Sequence, residues 1–235
     1  MSKPHLWIIA GPNGAGKTTL VQSGPFADLL SACEFINPDA ITLAYLQESG
    51  ITAWKDASKE MLKSTFIKAA DDAEALLYKR MEEGAAVVIE SVLSTSKYRA
   101  VVERVLELQG RFMLIYLALD SAALSQARVL QRTLEGGHDV PAEKLERRWK
   151  DSLGSLPWFA TRAHRFWILD NSKESVTANE QPIVSGSKSA VSLHLIPSPS
   201  LCPAISEVIS SHAAGAPAGL WHFNISTSDM ALSAA

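Results

Sequence analysis

The sequence predicts an α/β fold, a parallel sheet with helices on both faces, and three observations carry that prediction. Short apolar runs alternate with longer stretches of helical periodicity from Leu6 to Leu169. The first run stops at a glycine-rich loop that opens a helix, and the next three stop just before Asp39, Glu90 and Asp120. Right-handed crossovers between such strands bring their carboxyl ends to one edge of the sheet, where ligands of open α/β sheets collect.

The elements follow in order. Leu6 to Ala10 is a compact apolar run ended by Gly11-Pro12-Asn13-Gly14, as expected where a buried parallel strand meets a loop. A short helix from Lys17 is interrupted near Gly24-Pro25, and Glu34 to Ile36 is a short strand closed by Asn37-Pro38-Asp39. From Trp54 to Glu83 the apolar positions Met61, Phe66, Ala69, Ala73, Leu76, Leu77 and Met81 recur at helical spacing up to Gly84, which predicts one long helix with room for a single break. Ala85 to Ile89 is the third strand, Ser96 to Leu108 a helix, and Arg111 to Leu119 the fourth strand. Ala122 to Leu134 is a helix, Glu135 to His138 a connection, Pro141 to Leu153 a helix with proline in its first turn, and Arg165 to Leu169 the fifth strand. After Ser172 the composition turns to serine, alanine and proline with few charges. Residues 1–172 are therefore expected to form the folded domain, with 173–235 an extension in which Val191 to Ile196 could be a strand and Ala204 to Ser211 a helix.

Composition narrows the function classes. The 235 residues are 47% hydrophobic and 20% charged, enough to bury a sizeable core. A net charge of −3 argues against the broad basic surface that grips nucleic acid without sequence preference. Cys33 and Cys202 lie far apart with no metal-ligand spacing, so neither a disulfide framework nor a zinc site is expected. No apolar run approaches a membrane span and no targeting segment is evident, which makes the cytoplasm the default location.

The loop Gly11-Pro12-Asn13-Gly14-Ala15-Gly16-Lys17-Thr18, followed by Thr19, fills every position of the P-loop pattern. Between a strand and a helix, its backbone N–H groups turn toward bound phosphates. Lys17 is then expected at the β- and γ-phosphates of ATP, and the Thr18 hydroxyl on Mg²⁺. The Asn-Lys-x-Asp string that selects guanine is absent. The strands also end in Ile89-Glu90-Ser91 and Leu119-Asp120-Ser121 rather than the Asp-Glu of hydrolytic motors, so a P-loop NTPase of the kinase-like type is expected.

Phosphoryl transfer to an alcohol needs a group to orient and deprotonate the hydroxyl and cations to neutralise the moving phosphoryl. Asp39 can supply the first, or it can cap the helix that follows. Glu90 can bind the acceptor, bind Mg²⁺ through water, or be an exposed strand-end carboxylate. Asp120 reads as a cap or a weak Mg²⁺ candidate. Arg128 and Arg132 share a helix face before Gly136-Gly137, and Arg147 and Arg148 follow in the next helix, a lid-like set whose planar forks match phosphate oxygens. The alternative for each arginine is surface pairing with Glu135, Glu143 or Glu146. His138 is expected to make lid hydrogen bonds rather than act as a base.

Taken together, the P-loop, Phe35-Ile36-Asn37-Pro38-Asp39, Val88-Ile89-Glu90-Ser91, the spaced Arg128, Arg132, Gly136-Gly137-His138 and Val140-Pro141, and Asp170-Asn171-Ser172 resemble the zeta toxin family over roughly residues 4–172. That resemblance implies a P-loop kinase fold and ATP-dependent phosphorylation of a small-molecule hydroxyl, in well-understood members a UDP-activated amino sugar, restrained by an antitoxin. It implies Lys17 and Thr18 on phosphate and Mg²⁺, Asp39 as base, Glu90 on the acceptor, and phosphate held by lid arginines, among them Arg128, Arg132 and Arg147. Two other classes remain: an ATP-binding switch acting through a protein partner, and a nucleic-acid end kinase, which needs a basic, aromatic-bearing groove of which Arg147, Arg148, Trp149 and Lys150 are a fragment.

Overall fold

The computed structural model describes residues 2–23, 26–135 and 140–172, together with the strands 184–188, 193–197 and 221–223. Five parallel strands run side by side from one edge of the sheet: β1 (His5–Ala10), β2 (Glu34–Ile36), β3 (Ala86–Ser91), β4 (Arg111–Ala118) and β5 (Arg165–Asp170). Their spatial order is β2-β3-β1-β4-β5. Strand β1, which leads into the glycine-rich loop, thus lies between β3 and β4, and the chain passes to one side of it and then to the other. That reversal opens the crevice at the carboxyl ends of the strands.

Both faces of β1 are apolar, as a strand covered on both sides requires. Leu6, Ile8 and Ala10 enter one core with Phe112, Leu114, Tyr116 and Phe159, while Trp7 and Ile9 enter the other with Met113, Ile115 and Leu117. The first core is covered by α4 (Lys59–Glu82), α5 (Arg99–Glu107) and α7 (Ala142–Ala160), which contribute Leu77, Val101 and Leu156 among others. The second is covered by α1 (Lys17–Ser23) and α2 (Ala27–Leu30) through Leu20 and Leu30. Helix α3 (Pro38–Glu48) leads from β2 to α4, and α6 (Ala122–Leu134) leads from β4 towards α7, where Val129, Val140 and Leu145 form a small separate cluster.

Several boundaries differ from the sequence expectation, each for a local reason. The long helix predicted from Trp54 is a 3-10 turn, Trp54–Asp56, followed by α4, because the Ser58 side chain accepts a hydrogen bond from the Met61 N–H and starts a new helix there. Helix α7 continues through Gly154 and Pro157 to Ala160, where sequence punctuation had suggested an end at Leu153. Burial of Leu156, Phe159 and Ala160 outweighs the hydrogen bond that proline removes. Asp120 is not the cap of α6: Ser121 is, through the Leu124 N–H, while the Asp120 N–H donates to Ser172 Oγ. Gly24-Pro25, Gly136-Gly137-His138 and the expected helix Ala204 to Ser211 lie outside the described residues. Cys33 is free, and Cys202 also lies outside them.

Beyond Ser172, β6 (Val184–Lys188) pairs antiparallel with β5, β7 (Leu193–Pro197) pairs with β6, and β8 (Trp221–Phe223) runs parallel to β7. Strand β7 overlaps the predicted Val191 to Ile196. No helix among the described residues is long and apolar enough to cross a membrane. Ending the chain after Ser172 is expected to leave nucleotide binding within about threefold, since each candidate site residue precedes that point, and to lower solubility by baring the β5 edge. Calorimetric titration with ADP and Mg²⁺ checks the first outcome, and sedimentation checks the second.

Candidate functional site

The loop between β1 and α1 is built from both sides. Gly16 has φ of 86°, and a Cβ there would lie 2.8 Å from Asn171 Nδ2. Gly14 has φ of 74°, and its Cβ would lie 3.0 Å from that of Arg128. No other residue type fits these positions without strain or displacement. The close approaches coincide with hydrogen bonds: Ser125 Oγ donates to the Asn13 carbonyl at 2.7 Å, and Asn171 Nδ2 donates to the Ala15 carbonyl at 2.8 Å. Helix α6 and the end of β5 therefore hold the loop in place. Ser172, bonded to Asp170 and to the Asp120 N–H, ties those two ends together.

Sequence pattern alone assigns no role to Ser125 or Asn171. Ser125 occupies a buried position on α6, on the face that also carries Val129, and a polar residue among apolar ones was the available signal. Asn171 belongs to the Asp170-Asn171-Ser172 string, but only contact across 156 residues reveals its use.

Lys17 turns back into the loop and donates to the carbonyls of Gly11 at 2.9 Å and Pro12 at 3.0 Å. Burial lowers its pKa from the ordinary 10.5 to about 8, against the opposing pull of Glu90. The unfolded chain keeps this proton up to about pH 10.5 and the folded chain only up to about 8. Lys17 therefore adds stability as pH rises between those values, and below them its burial penalty is carried in full.

Glu90, at the end of β3, accepts the Thr18 hydroxyl hydrogen bond through Oε2 at 3.0 Å. Its other oxygen, Oε1, is buried without a partner among the described residues. Burial raises the carboxyl's pKa, opposed by the Lys17 charge and the Thr18 bond. A hydroxyl and a carboxylate with an unsatisfied buried oxygen suit a small divalent cation that keeps most of its waters. The expectation that Glu90 could be a merely exposed strand-end carboxylate does not fit this burial.

Asp39 is exposed and lies in the first turn of α3. The helix cap is Asn37, whose Oδ1 accepts from the Asp39 N–H at 2.9 Å, with Pro38 in the first turn. The capping alternative for Asp39 is thereby removed, and its carboxylate faces a cleft of about 830 Å³ also lined by Lys17, Thr18, Glu90, Arg128, Arg132 and Arg148.

Of the loop residues predicted to bind phosphate, Asn13, Gly14, Gly16, Lys17, Thr18 and Thr19 line this cleft, while Gly11, Pro12 and Ala15 are buried beneath it. Arg147 is exposed and outside the lining, so the cleft-facing arginine of α7 is Arg148. Helical spacing carried that information: Arg148 is three residues after buried Leu145 and four before buried Ser152, whereas Arg147 is off that face. Asp120 is exposed and likewise outside the lining. Trp54 and Phe66 line the cleft although the sequence had placed both simply on a helix.

The family model described as zeta toxin matches residues 1–181. The comparison with curated proteins gives no match. Among solved structures, the chain is similar to one in the AvrRxo1-ORF1:-ORF2 complex with ATP, at 18% identity and a TM-score of 0.61, covering 78% of this chain and 58% of that one. It therefore spans about 58% of that protein's length. It is also similar to the PezAT chromosomal toxin-antitoxin system of Streptococcus pneumoniae (21% identity, TM-score 0.56, 75% of each chain) and to a candidate kinase of Chloroflexus aurantiacus (20%, 0.53, 76% of this chain and 94% of that one). At these identities the likeness is one of fold.

Proposed function

This chain belongs to the zeta toxin family, and from that premise we propose that it is an ATP- and Mg²⁺-dependent kinase that phosphorylates a hydroxyl of a small molecule. The observation that carries the proposal is convergence: Lys17, Thr18, Glu90, Asp39 and the three arginines Arg128, Arg132 and Arg148 meet in one cleft at the carboxyl ends of parallel strands.

The roles follow from position. Lys17 exchanges its two carbonyl partners for the β- and γ-phosphate oxygens of ATP. Thr18 and Glu90 would hold Mg²⁺, which when bound neutralises phosphate charge. Asp39 accepts the proton of the acceptor hydroxyl as its oxygen bonds to the γ-phosphorus, and the bond from that phosphorus to the β-phosphate bridging oxygen breaks, leaving ADP. The arginines stabilise the charge spread over the transferring oxygens, the task for which a rigid fork of donors is suited. Family membership and the likeness to PezAT support an antitoxin as partner. A UDP-activated amino sugar is the acceptor the family suggests.

The decisive experiment incubates the protein with ATP and Mg²⁺ and, separately, nucleotide sugars, nucleosides and oligonucleotides, and identifies products by mass. A phosphorylated small molecule is the expected product. Acceptor-independent ATP turnover alone would favour a switch, and a phosphorylated oligonucleotide an end kinase.

A proton-linkage prediction arises from Lys17. Phosphate beside the ammonium favours its charged form and restores its pKa towards the ordinary value. ADP binding is therefore expected to take up about one proton at pH 9 and much less at pH 7.5, where ADP is already largely ionised, following the change in Lys17 protonation across the pKa of about 8. Binding heats in buffers of different ionisation enthalpy measure this, and Lys17→Met should abolish the uptake.

A further inference from the structure

Helix α7 is tied to strand β4 at two points. Deep in the core, the Ser152 and Tyr116 hydroxyls share a hydrogen bond of 2.9 Å. Nearly one helical turn earlier, the Trp149 indole Nε1–H donates to the Leu119 carbonyl at 3.0 Å. Leu119 lies one residue beyond the end of β4 and is fully buried, so no water can replace the indole there. The Trp149 ring is half-buried and packs against both sheet cores. Towards its N-terminus α7 then leaves the sheet for α6: Leu145 clusters with Val129 and Val140, and the Ala142 carbonyl accepts from Gln126. Among the described residues, Trp149 therefore makes the last hydrogen bond from α7 to the sheet, and Arg148, beside it, lines the cleft.

The exit of β4 fastens each wall of the phosphate site. The Leu117 carbonyl lies so close to Gly11 that a Cβ there would collide with it. The Ala118 carbonyl accepts from the N–H of Asn171, whose side chain holds the Ala15 carbonyl. Ser121 caps α6, which carries Arg128 and Arg132. Leu119, through Trp149, adds α7 to the same short run, so the height of Arg148 over the P-loop is set by one side-chain bond. Arg148 is near enough to act on the Lys17 ammonium: after burial, its charge is among those that lower the lysine's pKa.

We propose that Trp149 is a positioning residue for phosphoryl transfer: its indole N–H, by fixing α7 to the exit of β4, holds the Arg148 guanidinium at the γ-phosphate of the nucleotide. This rests on the kinase reading above and goes beyond it, since Trp149 lies outside the cleft lining and acts only through its neighbour. Such placement matters because a guanidinium keeps its planar fork on phosphate oxygens only in a narrow range of positions. A misplacement of about 1 Å at a reacting centre costs on the order of 10² in rate.

The test titrates the full chain calorimetrically with ADP and with β,γ-imido-ATP, each with Mg²⁺. The ratio of the two affinities reads the contacts to the γ-phosphate and needs no acceptor. Arg148→Ala is expected to lower the preference for imido-ATP about tenfold, the scale of one charge-assisted hydrogen bond. Trp149→Phe, which keeps a ring but no N–H, should lower it about five- to tenfold with ADP affinity within about threefold. Benzothienylalanine at position 149, which has the shape of tryptophan with sulfur in place of the N–H, should do the same, and it carries the test should Trp149→Phe fail to fold. Either replacement combined with Arg148→Ala should fall no further than Arg148→Ala alone, since the bond then has nothing left to position. Circular dichroism confirms folding. An unchanged ratio in the folded Trp149 replacements, parallel loss of ADP and imido-ATP, losses that multiply in the double variant, or a loss in Trp149→Phe that benzothienylalanine does not share would each overturn the assignment. An unchanged ratio in Arg148→Ala overturns it too and leaves the kinase reading standing, whereas failure of the unaltered protein to bind either nucleotide overturns both.

Discussion

Lys17→Ala is expected to lower ATP turnover by at least about 10³, the scale on which cationic groups at a transferring phosphoryl act. The cost should not appear as lost stability. Lys17 is held as a buried cation with its pKa depressed to about 8, so removing it removes a desolvation penalty along with its two bonds to the Gly11 and Pro12 carbonyls. The melting temperature at pH 7 should therefore stay level or rise, while ADP affinity falls. Thermal unfolding beside calorimetric titration separates the two effects. Unchanged affinity together with unchanged turnover would defeat the P-loop assignment.

Asp39→Asn is expected to reduce acceptor phosphorylation by at least about 10² while ATP affinity stays within several-fold, because a positioned base acts on the acceptor's proton rather than on the nucleotide. The structure sharpens this prediction. With Asn37 as the cap of α3, Asp39 contributes to that helix only the interaction of a first-turn carboxylate with the dipole, about 0.3–1 kcal/mol. Stability should barely change. If the unaltered protein arrests growth on expression, the variant should not. An Asp39→Asn protein of normal stability that phosphorylates its acceptor at the original rate would sink the base assignment and most of the case for a kinase over a switch.

Much of this site could be read from local pattern. The P-loop is contiguous, and its backbone does the work, so eight neighbouring residues define it. The central strands are buried on both faces and stand out as apolar runs, and β1, β2 and α6 begin and end within one residue of the sequence-derived bounds. Less legible were features set by competition between neighbours. Asn37 and Asp39 are both good capping residues, and only the hydrogen bond from the Asp39 N–H to Asn37 Oδ1 decides between them. Gly154 and Pro157 oppose a helix locally, and the burial of Leu156 and Phe159 prevails.

By itself, then, the sequence determined the α/β alternation, the phosphate loop with Lys17 and Thr18, and the carboxylates Asp39 and Glu90 at strand ends, because each is encoded within a few adjacent residues. Tertiary structure alone decided that Glu90 meets the Thr18 hydroxyl, that Ser125 and Asn171 grip the loop, and that Trp54 and Phe66 stack beside Asp39. The choice of Arg148 over Arg147 was resolved by the packing of α7 against the sheet, although its spacing foreshadowed it. The physical reason is the same in each case: these contacts join residues from separate elements, and their geometry exists only once the sheet order β2-β3-β1-β4-β5 has brought those elements to a common edge.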